Sequence, residues 1–187
     1  MESMLEKILK VEKAYVGKLL SLVKYRVLIR GVETVREVVT HPGAVAIIPF
    51  KDDGKIVLVR QYRLPAGEAL IEVPAGTLNE DENEEECARR ELLEETGYEA
   101  DALEKIRSFY LTPGYSTEKI TLFIARRLNK KSQKPELDEE IDVLELTLEE
   151  ALKMVREGII KDAKTIISIY DAIGKTSSEN EHNSRFI

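Results

Sequence analysis

Apolar and polar residues alternate through two early stretches, YVGKLLSLVKYRVLI and GVETVREVVTH. A two-residue period predicts antiparallel strands over residues 13–41. The segment before them, residues 1–12, is amphipathic and charged and reads as a short helix. At His41-Pro42-Gly43 the pattern changes. AVAIIPF (44–50) is one continuous apolar run, as expected of a buried strand. KDDG (51–54) is a turn signal, so KIVLVRQYR (55–63) is expected as its hairpin partner. LPAGEA reads as a loop and LIEVPAG (70–76) as a short strand ending in Pro-Ala-Gly.

Helical signals come next. Asn83 followed by Glu86 has the spacing of a capping box. The helix it opens should run to about Thr96, where Gly97 can stop it in the left-handed conformation. Strands are expected at 103–110 and 118–128, separated by LTPGYS. KKSQKPELDEE (130–140) reads as a mobile loop and EIDVLEL as a strand. Thr147 and Glu150 form a second capping box, for a helix to about Glu157; a last helix is expected over 162–173. The order is strands, helix, strands, helix with mixed connections. It predicts an α+β fold or a three-layer α/β/α sandwich. The expected organisation is a β-rich N-terminal region (1–41), a main domain (42–173) and a frayed tail (174–187).

Composition narrows the chemistry. The chain has 187 residues, 43% hydrophobic and 34% charged, enough for one domain with a core and a small appendage. No run of eighteen apolar residues occurs, so no membrane span is expected. A net charge of −7 gives no electrostatic footprint for a nucleic-acid backbone. An anionic substrate would need local positive charge, from a metal, from placed arginines, or from both. The single cysteine, Cys87, cannot form an internal disulfide, and a cytoplasmic setting is expected.

Residues 76–98 contain eight glutamates. On a helix at ~100° per residue, Glu91 and Glu95 point within about 40° of each other, and Glu94 adjoins them. Three carboxylates on one arc repel, which is understandable if a cation sits between them. Oxygen donors with open water positions suit Mg²⁺, with Mn²⁺ possible, rather than Zn²⁺. The alternative is a solvated acidic face. Ala88 and Leu92 can anchor the helix to the core, and Glu82 is a plausible partner for Arg90.

The spacing carries a resemblance. Gly76, five residues, Glu82, seven residues, Arg90-Glu91-Leu92, one residue, Glu94-Glu95, one residue, Gly97-Tyr98 resembles the Nudix box in full. Tyr98 stands where that family usually has an aliphatic residue. The resemblance implies an α/β/α sandwich with a mixed sheet, and metal-dependent attack of water on the diphosphate of a nucleoside diphosphate linked to another group. It implies Glu91 and Glu95 as metal ligands with the Ala75 carbonyl, and Glu94 as a ligand or a catalytic neighbour. Gly76, Glu82, Arg90 and Gly97 are then structural members of the motif.

FYLTPGYSTE places Pro113 sixteen residues after Gly97. With REVVTHPGAVAIIPF, VRQYR and EVPAG, this is similar to the ADP-ribose pyrophosphatase branch. The similarity covers about residues 25–172. It implies hydrolysis of ADP-ribose to AMP and ribose 5-phosphate, with Arg36, Arg63 and Pro113 at the substrate. It also implies a base or extra ligand on the late loop, Glu139 or Glu140. Glu139 is favoured because Ile141 and Val143 set the strand register just after it. The β-rich N-terminal region resembles the branch's dimerisation domain, so a homodimer is expected, with Arg36 acting across it. ADP-glucose or GDP-mannose as substrate, and a nucleotide-binding regulator without turnover, remain open. All four box glutamates are present, which disfavours the regulator. His41 reads as a turn residue, and Cys87, among acids, as packing.

Overall fold

The computed structural model describes residues 5–134 and 139–184. The first four residues of the expected N-terminal helix, positions 135–138 of the expected loop and the last three residues of the expected tail lie outside that description. The chain folds into two compact units. The first runs up to Gly43 and includes Phe109–Lys119; the second comprises Ala44–Ser108 and the chain from Ile120 onward.

In the first unit, β1 (Lys7–Val16), β2 (Ser21–Ile29) and β3 (Val32–Thr40) form an antiparallel sheet in the order β1-β2-β3. The turn between β2 and β3 holds Arg30 and Gly31, both at positive φ (50° and 79°). That is the backbone a two-residue hairpin needs to match strand twist. Phe109–Lys119 is tied to β3: Val39 N–H donates to the Tyr115 carbonyl at 2.7 Å, and Thr117 N–H donates to the Val39 carbonyl at 2.9 Å.

The N-terminal helix is replaced by β1, a correction with a local cause. Register shifts between Ile8 and Lys10 and between Lys13 and Tyr15 break the pairing of β1 with β2. Each irregularity slips the two-residue phase. Apolar residues three apart, such as Ile8 and Val11, then imitate a helical period.

In the second unit, β4 (Ala44–Pro49), β7 (Ala75–Thr77), β8 (Tyr98–Tyr110) and β9 (Lys119–Lys130) make a mixed sheet ordered β7-β4-β9-β8. β4 runs parallel to β9 and antiparallel to β7. β5 (Lys55–Arg63), β6 (Glu68–Glu72) and β10 (Ile141–Thr147) make an antiparallel sheet ordered β10-β5-β6. The expected β4–β5 hairpin therefore does not form; only Phe50 and Ile56 make a bridge. Every residue of β4 is buried. Such a strand needs neighbours on both edges and cover on both faces, which β7, β9 and the helices supply. The expected strand over 70–76 is likewise split into β6 and β7 at Val73-Pro74.

Helix α1 (Glu84–Thr96) has the expected capping box: Asn83 Oδ1 accepts from the N–H groups of Glu85 and Glu86, and Glu86 accepts from Asn83 N–H. Gly97 ends it at φ 68°. Its apolar stripe, Cys87, Ala88 and Leu92, packs with Val45, Ile47, Val57 and Phe123. Alternate β4 residues fall on the other face, where α3 (Ala163–Ser184) packs against β4. The sheet thus lies between helices, as an α/β/α arrangement requires. α2 (Leu148–Arg156) opens with the expected Thr147 box. α3 runs on through Ser184, so the helical backbone does not stop near residue 173. Among the described residues no helix is long and apolar enough to cross a membrane.

Leu92 is fully buried at the centre of the α1 stripe. Leu92→Ala should cost ~2–5 kcal/mol of unfolding free energy. A urea titration checks this; a loss below about 1 kcal/mol would remove Leu92 from the core.

Candidate active site

The second unit brings together most of the residues the sequence singled out. The apolar stripe of α1 faces the core, so its acidic side is presented beside β7. There the Ala75-Gly76 backbone runs close to the helix. Ala75 N–H donates to Glu95 Oε2 at 3.1 Å. A Cβ on Gly76 would lie 1.8 Å from Glu91 Oε1. Glycine here makes room for the Glu91 carboxylate.

Glu95 is 3% exposed. Burial, then the charge of Glu91, pushes its carboxyl up to about 8; the Ala75 N–H bond opposes this. Burial also raises Glu91, against the pull of Arg90. Glu139, half-buried just before β10, adds its negative charge to both. Glu140 is exposed. Residues 139, 141 and 143 share strand parity, and Val143 packs on the core cluster around α1. Glu139 thus falls on the side that faces the helix.

Arg90 changes one expectation. Two of the carboxylates on the arc are partnered: Arg90 Nη1 donates to Glu91 Oε1 at 2.7 Å and to Glu94 Oε2 at 3.1 Å. The other edge of the same guanidinium grips Glu82, Nε to Oε1 at 2.8 Å and Nη2 to Oε2 at 2.9 Å. That two-pronged bond fixes the loop before α1 onto the helix and holds the Glu82 carboxyl down at about 2. Glu82 also accepts from Asn79 N–H at 2.9 Å. Arg90 leaves Glu95 without a cation of its own.

Arg63 lies on the same face of β5 as Val57, Val59 and Gln61, by strand alternation. Its Nε and Nη2 donate to Glu72 Oε1 and Oε2 at 2.8 and 3.0 Å. Glu72, buried on β6, also bonds Lys164 of α3. Burial opposes ionisation of Glu72, but the two cations outweigh it and hold the carboxyl below its usual range. No local pattern marks Glu72 and Lys164 as partners, since 92 residues separate them. Gln61 escapes a sequence reading for the same reason: its Nε2 donates to Glu139 Oε1 at 3.3 Å, across 78 residues.

The C-terminal end of α1 is held by the chain after β9. Glu94 O accepts from Lys134 N–H at 3.0 Å, and Glu95 O from Gln133 Nε2 at 2.7 Å. Thr96 O accepts from Lys130 Nζ at 3.2 Å, and Gly97 O from Lys131 N–H at 2.7 Å. A Cβ at Gly97 would lie 2.7 Å from Gln133 N, so glycine serves this approach as well as the turn.

Arg36 and Pro113 belong to the first unit. There Arg36 Nη2 donates to Glu6 Oε1 at 2.9 Å. Cys87 is packed at Gly76 and Thr77, and burial pushes its thiol up to about 12, which fits a core residue rather than a nucleophile.

The donor set can be tested against a divalent cation. Among the described residues no three or more His, Cys, Asp and Glu side chains come together as a group that could hold a metal ion. The site instead offers the buried Glu95 and the half-buried Glu91 carboxylates, the adjacent Ala75-Gly76 backbone, and the charge of Glu139. A hard cation that keeps several waters fits such an open oxygen set; a closed zinc cage does not.

These features define a helix-borne acidic site on a mixed-sheet α/β/α fold. The sequence matches the NUDIX domain over residues 40–167. It is 44% identical to an ADP-ribose pyrophosphatase from Bacillus subtilis (strain 168), over 90% of this chain and 93% of that protein. It is 43% identical to a methanol dehydrogenase activator from Bacillus methanolicus, over 88% and 90%. It is also 43% identical to a GDP-mannose pyrophosphatase from Cronobacter sakazakii (strain ATCC BAA-894), over 71% and 74%. In three dimensions it resembles the crystal structure of an ADP compounds hydrolase, with a TM-score of 0.85 at 22% identity over 96% and 98% of the two chains. The chain belongs to the NUDIX family and is a Nudix pyrophosphohydrolase; such hydrolases generally use divalent metals.

Gly76→Ala should leave folding intact but displace the Glu91 carboxylate. Turnover should fall about ten-fold or more, with an unchanged far-UV spectrum; wild-type turnover would separate Gly76 from the site. Glu82→Gln should act on stability. A depressed carboxyl stabilises the fold above its ordinary value of 4.5, and that contribution fades as pH falls towards about 2. The variant's urea midpoint should therefore lie below wild type at pH 7, with the gap closing under acid. A gap independent of pH would deny the ion pair its role.

Proposed function

We propose that this chain hydrolyses ADP-ribose to AMP and ribose 5-phosphate, with Mg²⁺ as the working cation. The observation that carries this reading is the buried Glu95 beside the half-buried Glu91, short of positive charge, in a chain closely similar over nearly its whole length to an ADP-ribose pyrophosphatase. A bound divalent cation supplies charge neutralisation at the diphosphate and lowers the pKa of water.

The residues then divide the work. Glu91, Glu95 and the Ala75 carbonyl hold the cation, and Glu94, pinned by Arg90, shapes its edge. Glu139 accepts a proton as water oxygen bonds to phosphorus; the bond from that phosphorus to the bridging oxygen breaks, and the second phosphate leaves with that oxygen. Arg63, held by Glu72, meets the diphosphate charge that an acidic protein would otherwise repel. Arg36 and Pro113 contact the substrate, Arg36 from the partner of a homodimer. Exposed Ile8 and Val11 on β1 and Val32 and Val35 on β3 support such pairing. The setting is the cytoplasm. A second reading, GDP-mannose as substrate, is favoured by the 43% identical GDP-mannose pyrophosphatase.

Phosphate-coupled turnover with Mg²⁺ on ADP-ribose, ADP-glucose and GDP-mannose is the test. ADP-ribose should be preferred. Preference for GDP-mannose would install the second reading, and no turnover on any would overturn both. Glu95→Gln should lower kcat by about 10²-fold or more, the loss of several kcal/mol of charge stabilisation. Its melting temperature should hold or rise, because glutamine still accepts from Ala75 N–H and carries no group whose ionisation burial and Glu91 oppose. Normal turnover would refute the metal assignment.

A further inference from the structure

Gln61 occupies a position that packing alone would give to an apolar residue. It follows Val57 and Val59 on the inward face of β5 and is 9% exposed. Its register partners are Ile141 on β10 and Leu70 on β6. Both neighbours are aliphatic, so neither register partner calls for an amide.

The amide donates from Nε2 to Glu139 Oε1 at 3.3 Å. A carboxylate only accepts, so this bond fixes which end of the amide faces Glu139. The other end, Oε1, is buried and has no hydrogen-bond partner among the described residues. A buried acceptor left unpaired weakens a fold. A side chain that costs stability in this way is explained by what it holds.

Glu139 needs holding. It immediately precedes Glu140 and the first residue of β10, beyond the ladder that fixes Ile141 against Gln61. A carboxylate there has several rotamers, and a proton acceptor works only in one geometry. Gln133 fixes the backbone next to it, donating to both Glu95 O and Ile141 O at 2.7 and 3.3 Å. Gln61 adds a restraint on the carboxylate itself.

We propose that Gln61 is a positioning residue that orients the Glu139 carboxylate for proton transfer from the attacking water. This rests on the reading of Glu139 as the base. Gln61 needs no contact with substrate, so its effect lies on the rate of the chemical step and not on binding.

The experiment is a double-mutant cycle on ADP-ribose with Mg²⁺, using Gln61→Met, Glu139→Gln and the combination. Gln61→Met keeps the volume and loses the amide. It should lower kcat about ten-fold with KM within two-fold, and its melting temperature should not fall. Gln61→Asn keeps a buried amide but draws it back by one methylene. It should show the same kcat loss, and it serves as the second variant if the methionine form folds poorly. The combined variant should be no slower than Glu139→Gln alone, since Gln61 then has nothing to orient.

The failures separate. Unchanged kcat in the Gln61 variants, beside a damaged Glu139→Gln, overturns the positioning role and leaves the base intact. Losses that multiply in the combined variant also overturn it. A raised KM with unchanged kcat moves Gln61 to substrate binding and overturns the proposal. A fully active Glu139→Gln removes the base reading, and the proposal with it.

Discussion

Everything around α1 follows from burying Glu95 next to Glu91. An almost fully enclosed carboxylate beside a second one cannot ionise cheaply: burial favours the protonated form, and the neighbour's charge adds to that. Hydrophobic substitutes would be more comfortable in the same space. The site nevertheless keeps both acids, and the rest of the fold limits the penalty without removing it. Ala75 lends one N–H to Glu95. Arg90 takes up Glu91 and Glu94 on the outer side. The remaining deficit of positive charge is where a cation and a diphosphate can be received together.

The two arginine–glutamate forks illustrate different uses of one bond geometry. Arg90 with Glu82 lies within a single local segment, and it holds the loop before α1 in place. Arg63 with Glu72 joins β5 to β6, and Lys164 extends the tie to α3. Glu72 is the buried partner of the second fork, with both its oxygens engaged. Arg63 is thereby ordered in advance, which lowers the entropy cost of the substrate contact proposed for it. The charges of Glu95 and Asp162 also act on it.

How much of this could be read from the sequence depended on distance along the chain. Asn83 with Glu86, Gly97 as the helix stop and Glu82 with Arg90 all act within a few turns, so spacing alone exposed them. The three-carboxylate arc was also legible, and the i,i+4 spacing of Arg90 and Glu94 was the available signal that Arg90 is its partial counter-ion. Tertiary choices were less accessible. β4 and β5 each carry an apolar run that a hairpin would suit, and only the competition from β7, β9, β6 and β10 decides against it. The strand character of β1 was hidden by its register shifts. Gln61, Glu72 and Lys164 acquire meaning only once β5, β6, α3 and β10 are assembled, and no local pattern announces them.

The way α1 ends bears on how the proposed site can be rigid while its proposed base, Glu139, is on a connecting segment. The last turn of α1 has no basic residue to meet its carbonyls. A surface helix could leave those groups to water. Here the carbonyls of Glu94, Glu95, Thr96 and Gly97 are met in turn by residues 130–134. That segment is the one that leads on towards Glu139. Gln133 extends the tie to the first residue of β10. The end of α1 and the start of β10 are thus joined through the Gln133 amide, beside the glutamates proposed to hold the cation. Pulling residues 130–134 away from α1 would strip several carbonyls of their partners at once and break the Gln133 tie to Ile141, so backbone accounting and one side-chain amide hold this junction.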